Sequence, residues 1–272
     1  MLVPKRFTST YPLYITILFI GFLSFITNFS THDAQAAMIE HQAGASVRNY
    51  PLGFSIHAQS AYSDLLWGEK NKENFFYGFY KISLRANTSF KTAGANLKLE
   101  LYPISFLGLQ VGLQPSYRAF DFSGINCSTL QCQGTMHRSF IDIKGILGTK
   151  KYYLGYAIGY TFSSTKLEIG KTGFYDEGVS LSGNDSSDRV RGFEIWPGVA
   201  WTETQRTGVL FHSAKFHKSE TSSQSVYGYY SYTQESHRFM MGAGVYQSTL
   251  QSQKPSVFVS YTYTSGESPN LF

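Results

Sequence analysis

Apolar and polar side chains alternate along this chain with a period of two, in runs too long and too numerous for most folds. Residues 95–102 read Ala-Asn-Leu-Lys-Leu-Glu-Leu-Tyr, so Ala95, Leu97, Leu99 and Leu101 share one face of an extended strand. Asn96, Lys98, Glu100 and Tyr102 share the other. Successive strand side chains point to opposite faces, so this pattern marks strands set between two environments. It returns over 107–114, where Leu107, Leu109, Val111 and Leu113 oppose Gly108, Gln110, Gly112 and Gln114. About ten such segments stand out: 52–66, 75–88, 95–103, 106–120, 136–147, 151–164, 190–203, 207–217, 237–249 and 255–264. Most run 9–14 residues. Strands in soluble sheets usually have about 5–6, whereas a tilted strand crossing a bilayer needs about 9–11.

The spacers differ in length. Short turns fall at Pro103–Phe106, Gly148–Lys150, Glu203–Arg206 and Leu250–Lys254, and long polar loops at 121–135, 165–189 and 218–236. Short turns at one end and long loops at the other are the plan of a membrane barrel. In lipid every backbone N–H and C=O needs a protein partner, so strands cross only as a closed barrel. The expectation is an all-β chain: one antiparallel up-and-down transmembrane β-barrel of about ten strands (8–12), occupying 37–272 as a single domain. Alternation alone does not say which face is buried, and a soluble β-sandwich would hide the apolar one. Trp67, Phe75, Phe76, Tyr117, Tyr152, Tyr153, Trp201 and Tyr263 lie near segment ends, where aromatic girdles at two membrane interfaces belong.

On that assignment Lys81, Arg85, Lys98, Arg118 and Lys144 face the lumen, against Glu100, Asp142 and Glu194. Two roles are open to them. They line a narrow, mildly anion-preferring pore, or they pair across strands and plug it. About ten strands leave little room beyond the side chains, which favours the plug. Composition closes other routes. Charged residues are 15% and aromatics 17% of the chain, the reverse of disorder. A mean hydropathy of −0.18 leaves no room for repeated apolar helices.

Lys5 and Arg6 precede an apolar run from Leu13 to Ile26, followed by Ala34-Gln35-Ala36. This is the form of a cleaved export signal over 1–36, with Ala34 and Ala36 at the cleavage site. An uncleaved anchor from Tyr11 to Phe29 is the alternative. Beyond it the chain holds 21 basic and 17 acidic residues with no Lys/Arg cluster, which argues against nucleic acid as a partner. Cys127 and Cys132, with four residues between them in an oxidising compartment, point to a local disulfide.

The leader, the strand-turn-loop rhythm over about 52–264 and the terminal Phe272 together resemble the bacterial outer-membrane β-barrel proteins, with no particular subfamily matched. The resemblance implies a Gram-negative outer membrane, contact with its lipid, and a barrel-assembly machinery that reads Phe272. Pro269 departs from the pattern by interrupting the last alternating run. The resemblance also implies both termini in the periplasm. Ten segments with long loops outside would instead leave 255–264 running outward. Either a strand is miscounted, or a loop region such as Val226–Tyr232 forms one, or the loop-length rule fails here.

No catalytic residue, metal site or cofactor is expected. There is no G-x-S-x-G, and adjacent His212 and Ser213 point to opposite faces. His57 or His212 could meet a distant serine, but with no specificity. Asp176, Glu177, Asp185 and Asp188 match no calcium loop and read as solvated loop carboxylates. Loop 218–236 is rich in Ser, Tyr and Gln, suited either to a glycan or protein ligand or to a plain hairpin extension. The function expected first is a structural or interaction role through polar surface loops, without enzymatic activity. A narrow pore for small solutes comes second and a lipid-modifying barrel enzyme third.

Overall fold

A computed structural model describes residues 38–50, 53–68, 76–122 and 124–266. Ala34, Ala36, Phe75 and Phe272 lie outside them. The strands are β1 (Met38–Arg48), β2 (Gly53–Trp67), β3 (Gly78–Thr88), β4 (Thr92–Ile104), β5 (Leu107–Arg118), β6 (Leu130–Gln131), β7 (Gly134–Gly148), β8 (Tyr152–Thr165), β9 (Gly173–Asp176), β10 (Leu181–Asn184), β11 (Ser187–Ala200), β12 (Gln205–Phe216), β13 (Ser222–Gln234), β14 (His237–Ser248) and β15 (Gln251–Gly266). Twelve form a closed up-and-down barrel, while β6, β9 and β10 make a small separate sheet. Closure comes from β1 against β15, antiparallel from Glu40↔Gly266 to Arg48↔Phe258.

Twelve strands replace the expected ten, and the two additions share a cause. β13 (SSQSVYGYYSYTQ) has no Leu, Ile or Phe, and its tyrosines lie on both faces, so alternation is masked; it is the Val226–Tyr232 region named above. β1 (MIEHQAGASVR) has small residues from Ala43 to Ser46 at its centre, which weakens its alternation. Adding β13 reverses the direction of every later strand. Met38 and Gly266 therefore sit at one end, and segments 119–133 and 166–186 extend from the other. The conflict over the C-terminus disappears.

The barrel is inside-out relative to a soluble protein, which rules out the β-sandwich. Leu97, Leu99 and Leu101 are 51%, 44% and 39% exposed on the outer wall, whereas Glu100 between them is 3% exposed. Exposed aromatics gather at both rims. Trp67, Phe76, Tyr152, Trp201, Phe239 and Tyr263 mark the terminal end, and Phe90, Tyr117 and Phe120 the long-loop end. The Trp67 indole donates to the Pro103 carbonyl at 2.9 Å and that of Trp201 to Thr207 Oγ1 at 2.8 Å. Tyr153 departs from the expected girdle: its hydroxyl meets that of Tyr229 at 2.6 Å, across 76 residues of sequence.

Candidate functional site

The terminal end of the barrel opens into a cavity of 650 Å³. Of the predicted lumen residues, Lys81, Arg85, Lys98, Glu100 and Lys144 line it. Small residues on intervening strands let the charges meet. Lys81 Nζ reaches Glu40 at 3.0 Å over β2, where Ala61 and Ser63 occupy the inner face. Lys144 crosses β5 at Gly108 to bond Glu100, which also takes Lys98 at 3.3 Å. Arg85 stands between Gln59 and Asn96 in the ladder.

Arg206 and Arg238, which the sequence reading missed, complete the wall. Arg238 Nε donates to Ser231 Oγ at 3.2 Å, and the Arg206 guanidinium lies 5.9 Å from the centre of the Tyr153 ring. Six cations and four carboxylates (Glu40, Glu100, Glu203 and Glu235) line the space, a net charge of +2. Further along the lumen Asp142 accepts from Gln110 at 3.2 Å, and Glu194 faces His212 at 3.8 Å. At the terminal end the ion pairs therefore line a space rather than fill it. Twelve strands give more width than ten.

Closure comes from elsewhere. Segment 166–186 folds into the long-loop mouth as the β9–β10 hairpin, with β6 pairing parallel to β9. Phe174 and Leu181 are fully buried against Met136, Val190, Ala214 and Phe216, inner-face residues of β7, β11 and β12. Arg118 is a correction to the predicted lumen charges. It is fully buried beneath the insert, donating to the carbonyls of Tyr175 (2.6 Å), Gln131, Gln133 and Gly134 and to Thr165 Oγ1. β13 and the β12–β13 connection hold the insert too: Ser223 Oγ donates to the Val179 carbonyl, and Thr221 and Ser219 to that of Ser182.

Of the predicted solvated carboxylates, Asp185 is exposed as expected, while Asp176 and Asp188 are buried and Glu177 partly so. Asp176 is 1% exposed. Arg138 Nη2 lies 2.7 Å from Asp176 Oδ1, and its Nε also donates to both carboxylate oxygens. Ser163 Oγ and the Gly178 N–H donate at 2.6 and 2.9 Å, and Arg138 pairs further with Glu177 at 2.8 Å. Asp188 accepts from the N–H groups of Arg189, Lys218 and Ser219. Arg138 has the strand parity of Asp142 and Lys144, a signal available in the sequence.

Burial alone would raise the Asp176 carboxyl, but Arg138, Ser163 and Gly178 outweigh it and hold it below the ordinary range. A carboxyl depressed in the folded state contributes stability that is complete above its unfolded pKa of about 4 and is lost as pH falls through the folded value. Amide protection over 173–184, taken relative to the intrinsic exchange rate at each pH, should thus be flat from neutral pH to about 4 and fall in stronger acid. Asp176→Asn should abolish that acid step; a step that persists in the variant belongs to another group.

Cys127 and Cys132 form the expected disulfide, with Cα atoms 5.6 Å apart. Lys171 Nζ bonds the Cys127 carbonyl, and Thr172 N–H donates to Thr129 at 3.0 Å, so the bridged loop props β9 from outside. Closing so short a loop contributes about 2 kcal/mol of chain entropy. Reduction should expose 119–133 to protease while leaving the gel mobility of unboiled protein unchanged. A lost mobility shift would mean that the bridge supports the whole barrel.

Asp121 lies close enough to the two sulfurs to suggest a metal cluster, but the sulfurs are bonded to each other. The His41 Nδ1–Ser60 Oγ contact, at 3.1 Å, joins two residues on the outer wall, away from the cavity.

No protein-family model matches the chain, and no curated protein does. Similar solved structures include the NanC porin (8% identity, 82% of this chain and 98% of that one, TM-score 0.48). An outer membrane channel from Pseudomonas putida F1 is similar at 7% identity, over 88% and 98% of the two chains, with TM-score 0.48. The KdgM porin in complex with disordered oligogalacturonate is similar at 10% identity, over 82% and 98%, with TM-score 0.43.

Proposed function

We propose that this chain is an outer-membrane channel whose inner vestibule takes small anionic solutes and whose outer mouth is closed by a folded insert. The observation that carries this reading is the 650 Å³ cavity with six cations against four carboxylates. A low-dielectric wall focuses the field of such a cluster and concentrates counter-ions of the opposite sign. The membrane half rests on the closed barrel and its apolar outer wall between two aromatic rims, a surface that water would not tolerate and lipid requires. With the termini at the periplasmic end, the vestibule faces the periplasm and the insert faces outward.

Two measurements test it. Cell fractionation should place the protein in the outer membrane, migrating faster on a gel when unboiled; recovery from the periplasm without a heat shift removes the membrane half. In a planar bilayer under a salt gradient, protein opened by removal of the insert should show a reversal potential on the anion side, and a cation-side value removes the solute class. The docked insert favours a second reading, a closed barrel that presents its loops to a glycan or protein. A lumen that never conducts, even with the insert removed, would select it.

A further inference from the structure

The outer wall near the long-loop end carries a feature that conduction does not use. Strand register sets Leu113, Ser139, Phe162 and Arg189 side by side on the outer face of β5, β7, β8 and β11. In the next row toward the rim stand Pro115, His137, Ser164 and Ser187. The small Ser139 between Leu113 and Phe162 leaves a furrow, part of a groove of 740 Å³ whose lining also includes Pro115, His137 and Lys218.

Beside the furrow, Arg189, Arg191, Lys215, His217 and Lys218 are all exposed. Toward the membrane centre the same strand faces turn apolar, with Phe193 and Ile195 on β11 and, past Ser213, Phe211 and Val209 on β12. The basic group thus sits at the level of the outer headgroups. Arg191 and Lys215 are register partners on adjacent strands, and like charges set opposite each other destabilise a sheet. Among the described residues the ion pair in this group is Lys218–Asp185 at 3.7 Å, itself half-exposed or more on both sides. Arg189 lies over the Tyr160 ring at 5.3 Å.

We propose that this furrow and its basic flank bind a membrane lipid bearing phosphate esters, with an acyl chain along Leu113–Ser139–Phe162 and phosphates between Arg189, Arg191 and Lys215. An anion placed there offsets the Arg191–Lys215 repulsion, and the furrow supplies the apolar contact that free phosphate lacks. The site rests on the membrane-spanning half of the function proposed above and is independent of the vestibule charge. A protein that fails to conduct leaves it intact, and one that does not enter bilayers overturns both.

The test uses the full-length mature protein in non-ionic detergent, with bound lipid counted by native mass spectrometry. The probes are bisphosphorylated lipid A, the same lipid dephosphorylated, and inorganic phosphate alone. Arg191→Gln with Lys215→Gln should weaken lipid A binding about thirtyfold, about fivefold for each charge removed near a membrane surface. Ser139→Phe should weaken it by filling the furrow, and the dephosphorylated lipid should bind weakly to all forms. Heat-dependent gel mobility shows that each variant is folded; if Ser139→Phe is not, the double glutamine variant decides alone. Equal binding by that variant, equal binding of both lipids, or displacement of the lipid by inorganic phosphate would each overturn the proposal.

Discussion

Arg138→Ala is expected to convert a closed outer mouth into an open one, read as a steady single-channel conductance absent from the native protein. The substitution leaves Asp176, 1% exposed, without its cation. Removing one partner of a buried pair costs about 3–5 kcal/mol. Phe174 and Leu181 favour docking by about 1.5–3 kcal/mol each, against the entropy of ordering the insert, so a loss of that size is large enough to reverse the balance. Glu177, at 18% side-chain exposure, can return to water and does not hold the insert alone. Arg138→Met combined with Asp176→Leu is the control. Replacing a buried pair by apolar residues of similar volume is often neutral or stabilising, so this double variant should stay closed. If Arg138→Ala neither conducts nor speeds hydrogen exchange over 173–184, the pair is not what holds the mouth.

Arg206→Glu together with Arg238→Glu, made in the opened protein, should move the reversal potential from the anion side to the cation side. The vestibule goes from six cations and four carboxylates to four and six, a net change from +2 to −2. These two arginines suit the test because their known contacts are a serine hydroxyl and a tyrosine ring, so replacing them strands no buried carboxylate. Replacing Lys98 or Lys144 would take one of its two cations from Glu100, which is 3% exposed, and would mix folding with selectivity. Arg206→Lys with Arg238→Lys should keep the anion preference. An unchanged reversal potential in the glutamate variant would place the selective region elsewhere in the lumen.

Where aliphatic residues alternate, as over Leu97–Leu101 and Ile141–Ile143, the sequence revealed strand, face and inside-out logic together, because the period of two survives in any sheet. It failed where chemistry blurs that period. The Ser- and Tyr-rich β13 looks polar throughout, and one unseen strand sufficed to reverse the orientation of those that follow. The cation at Arg206 was hidden by a strand boundary drawn one step short, whereas Arg238 lay within segment 237–249 and was given no face. The insert was not legible at all. Asp176 and Glu177 are loop carboxylates by sequence, and their burial depends on Arg138, 38 positions away, and on the folding of 166–186 inward rather than into water. Local pattern carries no information about such a choice.

The measurement that bears most directly on this account is the single-channel behaviour of protein in which 172–185 is replaced by a short Gly-Ser link. A stable conductance with an anion-side reversal potential is expected, where the native protein shows little or none. A purified, heat-modifiable barrel lacking the insert that still fails to conduct, or conducts with cation preference, would contradict it.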